Sequence, residues 1–166
     1  MTGDGSAGVP DGVAIEPATP EDRLDSLRVL NAAMLETDSA QVAERIDAGD
    51  ALVARFKKTG AVVGALVATR PEPSRYHVDA VAVRRARRGR GIGSALVAAA
   101  VERAEREEAV AVVTAAFDAK LRGFYTDLGF AVVPDTETQG AGRLRGRRAV
   151  DGGAGADDSE SGERRR

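Results

Sequence analysis

The hydrophobic positions change period several times along the chain, and each change marks an element. Residues 51–56, 61–69 and 76–83 are runs rich in valine, alanine and leucine, of strand length and too short for buried helices. Lys57-Lys58-Thr59-Gly60 between the first two is a polar turn, so that pair predicts an antiparallel hairpin. Leu96, Val97, Ala100, Val101 and Ala104 then recur at three-and-four spacing, which predicts a long amphipathic helix running to about Arg106. Val110–Thr114 returns to a continuous apolar run, as in a strand covered on both faces. Leu121, Phe124, Tyr125 and Leu128 share one face of a short helix closed by Gly129, and Phe130–Val133 is a strand stopped by Pro134.

Upstream, Val13-Ala14-Ile15 is a short first strand, and Thr19-Pro20-Glu21-Asp22 carries the cap, proline and carboxylate that open a helix. Leu24, Leu27, Leu30 and Met34 give that helix its apolar face. A second helix, capped by Asp38 or Ser39, carries Val42, Ala43 and Ile46 and ends at Gly49. Arg70-Pro71-Glu72-Pro73-Ser74 interrupts the strands before Tyr76, and Arg143–Val150 reads as a last strand whose charge places it at an edge. The order predicts one α/β domain over residues 12–150, with a mixed central sheet of about six to seven strands and about four flanking helices. Residues 1–11 and 151–166 have little to bury and read as disordered tails.

Composition narrows the function. A net charge of -2 gives no broad cationic field for nucleic acid or an anionic membrane, so any basic site must be local. The arginines at 84, 85, 87, 88 and 90 and at 164–166 raise a nucleic-acid module as an alternative, but no aromatics are interleaved with them. With no cysteine, thiolate metal sites and a cysteine nucleophile are excluded, and no metal is expected. The first residues lack the pattern of a signal peptide, and no apolar run approaches the roughly 18 residues of a membrane span. A cytoplasmic protein without a membrane partner is the expectation.

The chemistry concentrates where the strand 76–83 meets Arg88-Gly89-Arg90-Gly91-Ile92-Gly93 and the long helix. A glycine turn at a helix N-terminus gathers free N–H groups and the positive end of the helix dipole, and arginines add charge; such a place binds a phosphate. The dinucleotide fingerprint fails because Ser94 stands where a third glycine or alanine belongs, and no lysine is followed by Ser or Thr as in a triphosphate loop.

What remains resembles the pyrophosphate-binding motif of the GNAT acetyltransferases, Gln/Arg-x-x-Gly-x-Gly/Ala, with Arg88, Gly91 and Gly93 at the defining positions. Downstream, Tyr125, Gly129 and Phe130 fit the family's Tyr-x-x-x-Gly-Phe element, and the resemblance covers about residues 13–133. It implies acetyl-CoA as co-substrate, with the N–H groups of Arg88, Gly89, Arg90, Gly91, Ile92, Gly93 and Ser94 holding the pyrophosphate. It implies that Val81, Ala82 and Val83 offer backbone groups to the pantetheine arm, one N–H facing the thioester oxygen. Where the family often has an asparagine that contacts the cofactor arm, this chain has Asp118, which accepts hydrogen bonds and, ionised, donates none.

The resemblance also places the Tyr125 hydroxyl near the cofactor sulfur as a general acid, whereas spacing alone favours a core residue. For the base, His77 and Asp79 share one face of their strand, and an imidazole ordinarily titrates near about 6.5, which suits neutral pH. A base elsewhere, or an acceptor that arrives unprotonated, remains open. The resemblance implies an N-acetyltransferase acting on a small-molecule or protein amine, as a monomer or homodimer; a GNAT-fold sensor that binds acetyl-CoA without catalysis is the alternative. The segments that line the acceptor side in this family carry Glu21, Asp22, Asp25, Glu36, Asp38 and Glu72, an acidic rim suited to a cationic amine.

Overall fold

In the computed structural model, which describes residues 9–32, 38–134 and 143–150, seven strands form one mixed sheet with four α-helices. Chain order is β1 (Val13–Pro17), α1 (Arg23–Ala32), α2 (Ser39–Asp47), β2 (Ala51–Phe56), β3 (Val62–Glu72), β4 (Arg75–Val83), α3 (Ile92–Glu105), β5 (Val112–Asp118), α4 (Arg122–Asp127), β6 (Ala131–Pro134) and β7 (Arg143–Ala149). The strands lie in the order β1-β2-β3-β4-β5-β7-β6. The expected α/β architecture is therefore present. Most of both predicted tails, Met34, Glu36 and the segment 135–142 lie outside the described residues.

Contacts divide the chain into two compact units, one of residues 1–69 and 78–100, the other of residues 70–77 and 101–166. In the first unit β1 pairs antiparallel with β2, and β2 with β3 across a register shift at Ala54/Arg55. Val29 and Leu30 of α1 and Val42 and Ile46 of α2 pack on Val53, Ala65, Val67, Ala80 and Ala82 of the strands. α1 begins as expected: the Asp22 carboxylate accepts from the Thr19 N–H and hydroxyl, and a 3-10 turn over Pro20–Asp22 leads into the helix. Its inward face differs from expectation. Ser26, Val29 and Leu30 are buried while Leu24 is 57% exposed, because the 3-10 turn advances the chain by a different angle before the α-helix starts. α2 is capped by Asp38, which accepts from the Ala40 N–H, and Gly49 (φ 80°) ends it. Leu96 and Ile92 of α3 come so close to β3 that a Cβ on Gly64 would lie 3.1 Å and 3.2 Å from them, which seats the start of that helix.

In the second unit, the Ser74 carbonyl accepts from the Ala111 and Val112 N–H groups, and His77 meets Thr114 three residues further along each strand, so β4 and β5 run parallel there. The interruption expected at 70–74 shrinks to a turn at Pro73-Ser74, since β3 continues through Glu72. β5 starts at Val112 rather than Val110, whose N–H goes to the Glu107 carbonyl. β7, expected at an edge, lies between β5 and β6, antiparallel to both. Its centre is Gly146, where a Cβ would stand 3.0 Å from Phe117 and 3.2 Å from Phe130, so the missing side chain admits both rings. Leu121, assigned to the inner face of the short helix, is 37% exposed: it belongs to a 3-10 turn before α4. Arg70 forks onto Glu107 with two contacts of 2.7 Å and lies over the Tyr76 ring. Among the described residues no helix is long and apolar enough to cross a membrane.

Candidate active site

β4 alternates as a half-covered strand: Tyr76, Val78, Ala80 and Ala82 are buried, while His77, Val81 and Val83 are half-buried and Asp79 is exposed. The sequence thus puts the two candidate bases on one face, with the valines expected to present backbone to a ligand. His77 Nδ1 lies 2.8 Å from the Thr114 hydroxyl, and Thr114 is buried in β5. Thr114 went unremarked in the sequence; a lone hydroxyl in the apolar run 110–114 was the available signal. The imidazole of His77 is therefore held by a named partner, whereas Asp79 points to solvent.

Beyond β4 the arginines divide into two groups. The Arg84 N–H and Nε donate to the Val63 and Val62 carbonyls, Arg87 lies over the Phe56 ring at 4.4 Å, and Arg88 Nε donates to the Val83 carbonyl at 3.1 Å. These three fasten the turn to the sheet. Arg85 and Arg90 are exposed and make no side-chain hydrogen bond or ion pair among the described residues. A 3-10 turn over Arg85–Arg87 takes up the Arg88 N–H, so of the seven N–H groups expected to face an anion, those of residues 89–94 remain. Gly89 and Gly91 take φ of 77° and 84°, the left-handed region that an L side chain enters only with strain. Gly91 then accepts from the Ala95 N–H as the first carbonyl of α3. The N–H groups of Ile92, Gly93 and Ser94 are in the helix's first turn, where no intrahelical acceptor exists. Donors, dipole and two uncommitted guanidinium groups thus meet in one short turn.

Tyr125 is 2% exposed, stacked on Phe117 with ring centroids 4.0 Å apart and edge-on to Phe124 and Phe130. Burial pushes its phenol up to about 12, so it keeps its proton across the neutral range. Its carbonyl accepts from the Leu128 and Phe130 N–H groups and closes α4 at Gly129. The core and general-acid readings are therefore compatible: the aromatic cluster fixes the ring and keeps the phenol neutral. Asp118 caps the 3-10 turn before α4, its Oδ1 accepting from the Lys120 N–H, which gives it a structural duty the motif did not suggest.

The acidic rim largely dissolves. Asp22 is buried with both carboxylate oxygens accepting from Arg55 Nη2 at 2.9 Å, Asp25 pairs with Arg28, Asp38 caps α2, Glu72 lies 3.8 Å from Arg75, and Glu36 is outside the described residues. Glu21 alone of the six stays exposed without a described partner.

Residues 19–130 match the sequence model of the acetyltransferase (GNAT) family, and the chain belongs to that family. Among solved structures it is similar to Ard1 from Thermoplasma volcanium (22% identity, TM-score 0.69, covering 84% of this chain and 98% of that one). It is also similar to yncA from Salmonella typhimurium, solved with its cofactor acetyl-CoA (18% identity, TM-score 0.69, 88% and 98%). A third likeness, over 83% of this chain and 35% of the other, is to N-acetylglutamate synthase from Neisseria gonorrhoeae complexed with coenzyme A and N-acetyl-glutamate (15% identity, TM-score 0.66). At these identities the likeness is one of fold. No curated protein matches the chain.

Proposed function

We propose that this chain is an acetyl-CoA-dependent N-acetyltransferase in which an acceptor amine attacks the thioester directly, and that residues 12–150 carry the activity. The observation that carries the proposal is the turn at 88–94: left-handed glycines, first-turn N–H groups and the uncommitted Arg85 and Arg90, in the motif by which the family is recognised. In this reading the N–H groups of Gly89, Arg90, Gly91, Ile92, Gly93 and Ser94 hold the pyrophosphate, and Arg88 braces the turn through Val83. The backbone of Val81, Ala82 and Val83 receives the pantetheine arm and polarises the thioester carbonyl. His77, its ring set by Thr114, takes the proton from the amine directly or through water, with Asp79 as the second candidate. Tyr125 gives its proton to the departing thiolate, a step worth about 10²-fold to 10⁴-fold. Asp118 serves the cofactor side by capping the turn before α4.

The likeness to structures holding acetyl-CoA or coenzyme A supports the choice of co-substrate. The test is thiol release from acetyl-CoA across a panel of amines. Turnover with at least one amine, lowered by His77→Ala, is the expected result. Binding of coenzyme A with no turnover on any amine would instead favour a non-catalytic cofactor-binding protein.

A further inference from the structure

A single row of side chains crosses three strands of the second unit. Thr114 and Arg147 are Cα partners in the antiparallel β5–β7 pair, so their side chains stand on the same face of the sheet. His77 reaches Thr114 from β4 on that face, with Nδ1 2.8 Å from the hydroxyl. Two residues away on β7, Arg145 is paired with Ala116 and shares the face. β6 continues it with Ala131 and Val133, and Val133 is 55% exposed, so this side of the sheet is exposed at β6 and at Arg147, while Thr114 is buried in β5. The opposite side holds Phe117, which stacks on Tyr125, and Arg148, which donates to the Leu128 carbonyl. Arg147 is exposed, with no side-chain hydrogen bond or ion pair among the described residues. The carboxylate on this face of β5 is Asp118, four residues beyond Thr114, whose Oδ1 already accepts from the Lys120 N–H.

We propose that the acceptor is a small amine that also carries an anionic group, a carboxylate or a phosphate, held by Arg147 with Arg145 beside it while the amine meets His77. This rests on the transferase reading above with His77 as proton acceptor. Strands lie about 4.8 Å apart, so His77 and Arg147, two strands apart, rise from backbones about 10 Å apart. A compact molecule with amine and anion a few bonds apart spans such a row. A planar guanidinium matches carboxylate and phosphate oxygens with paired hydrogen bonds, and it repels a second cation. With Asp22 held by Arg55, Asp25 by Arg28 and Asp38 capping α2, three of the six rim carboxylates are already engaged within the protein.

Thiol release is measured with 4-aminobutanoate and 2-aminoethyl phosphate, their uncharged counterparts 1-butylamine and ethanolamine, and spermidine. The expected result is a kcat/KM about 10-fold to 100-fold higher for an anionic amine than for its counterpart, the two anionic arms deciding between carboxylate and phosphate. Arg147→Ala removes most of that preference through KM, and Arg147→Lys restores part of it. Spermidine or 1-butylamine as best acceptor, with Arg147→Ala equally active or faster, overturns the proposal. Because His77 is the only histidine, its ring resonances give a readout that needs no turnover. A saturable shift with 4-aminobutanoate or 2-aminoethyl phosphate, lost in Arg147→Ala, upholds the anionic ligand even with no thiol release, in which case the transferase reading alone fails. No shift with either probe and no anionic preference in turnover overturns the proposal.

Discussion

Burial acts on Tyr125 and Asp22 in the same direction, yet the two end on opposite sides of their ordinary values. Nothing offsets burial at Tyr125, so its phenol rises to about 12 and stays neutral. Tyr125→Phe keeps the ring stacked on Phe117, so we expect an intact fold and undiminished coenzyme A binding, with kcat lowered about 10²-fold; an unchanged kcat would remove Tyr125 from the chemistry. At Asp22 burial raises the carboxyl, but the Thr19 N–H and the Arg55 guanidinium outweigh it and hold it below the usual carboxylate range. A depressed folded value contributes stability above the unfolded value of about 3.9, and that stability is lost as pH falls through the folded value. Asp22→Asn should therefore cost about 2 kcal/mol in urea denaturation at pH 7, on the low side for a buried pair because Arg55 is partly exposed. The gap to wild type should close below about pH 4; a gap independent of pH would mean that packing, not charge, explains the loss. The motif residues were legible one by one in the sequence. Their partners were not, because Arg55 lies 33 residues from Asp22 and Thr114 lies 37 from His77.

At the scale of elements, local period and turn chemistry located all seven strands and four helices to within a few residues. Neighbours were harder. The arginines of 143–150 suggested an edge, yet β7 is an interior strand, because long arginine stems tolerate a covered strand when their heads reach solvent or a carbonyl, as Arg148 does at Leu128. Exposure of Leu24 and Leu121 has a common cause: each follows or sits in a 3-10 turn, which shifts the helical face that a period of 3.6 extrapolates. Gly146 tests the placement of β7. Gly146→Val forces a side chain against Phe117 and Phe130, and we expect a loss of about 1–3 kcal/mol in denaturant unfolding with the near-ultraviolet tyrosine signal altered. A neutral Gly146→Val would contradict the packing of β7 between β5 and β6.

For the molecule as a whole, fold class followed from alternating strand and helix patterns, and the family followed from two motifs in the right elements, the glycine turn and Tyr125 with Gly129-Phe130. The acceptor side was least legible. Of the charges that looked like an acidic rim, Asp22, Asp25 and Asp38 are taken up by Arg55, Arg28 and the α2 cap, while the arginines proposed to meet the acceptor reach one face only through the register of β5 and β7. Scanning calorimetry with coenzyme A reads out whether the turn at 88–94 holds the pyrophosphate. At a concentration about 100-fold above Kd, wild type should gain about 2.7 kcal/mol and several degrees in Tm. Gly91→Glu, which puts a carboxylate at a φ of 84° in the turn, should gain nothing. No stabilisation of wild type, or equal stabilisation of both, would mean that the turn does not hold the cofactor.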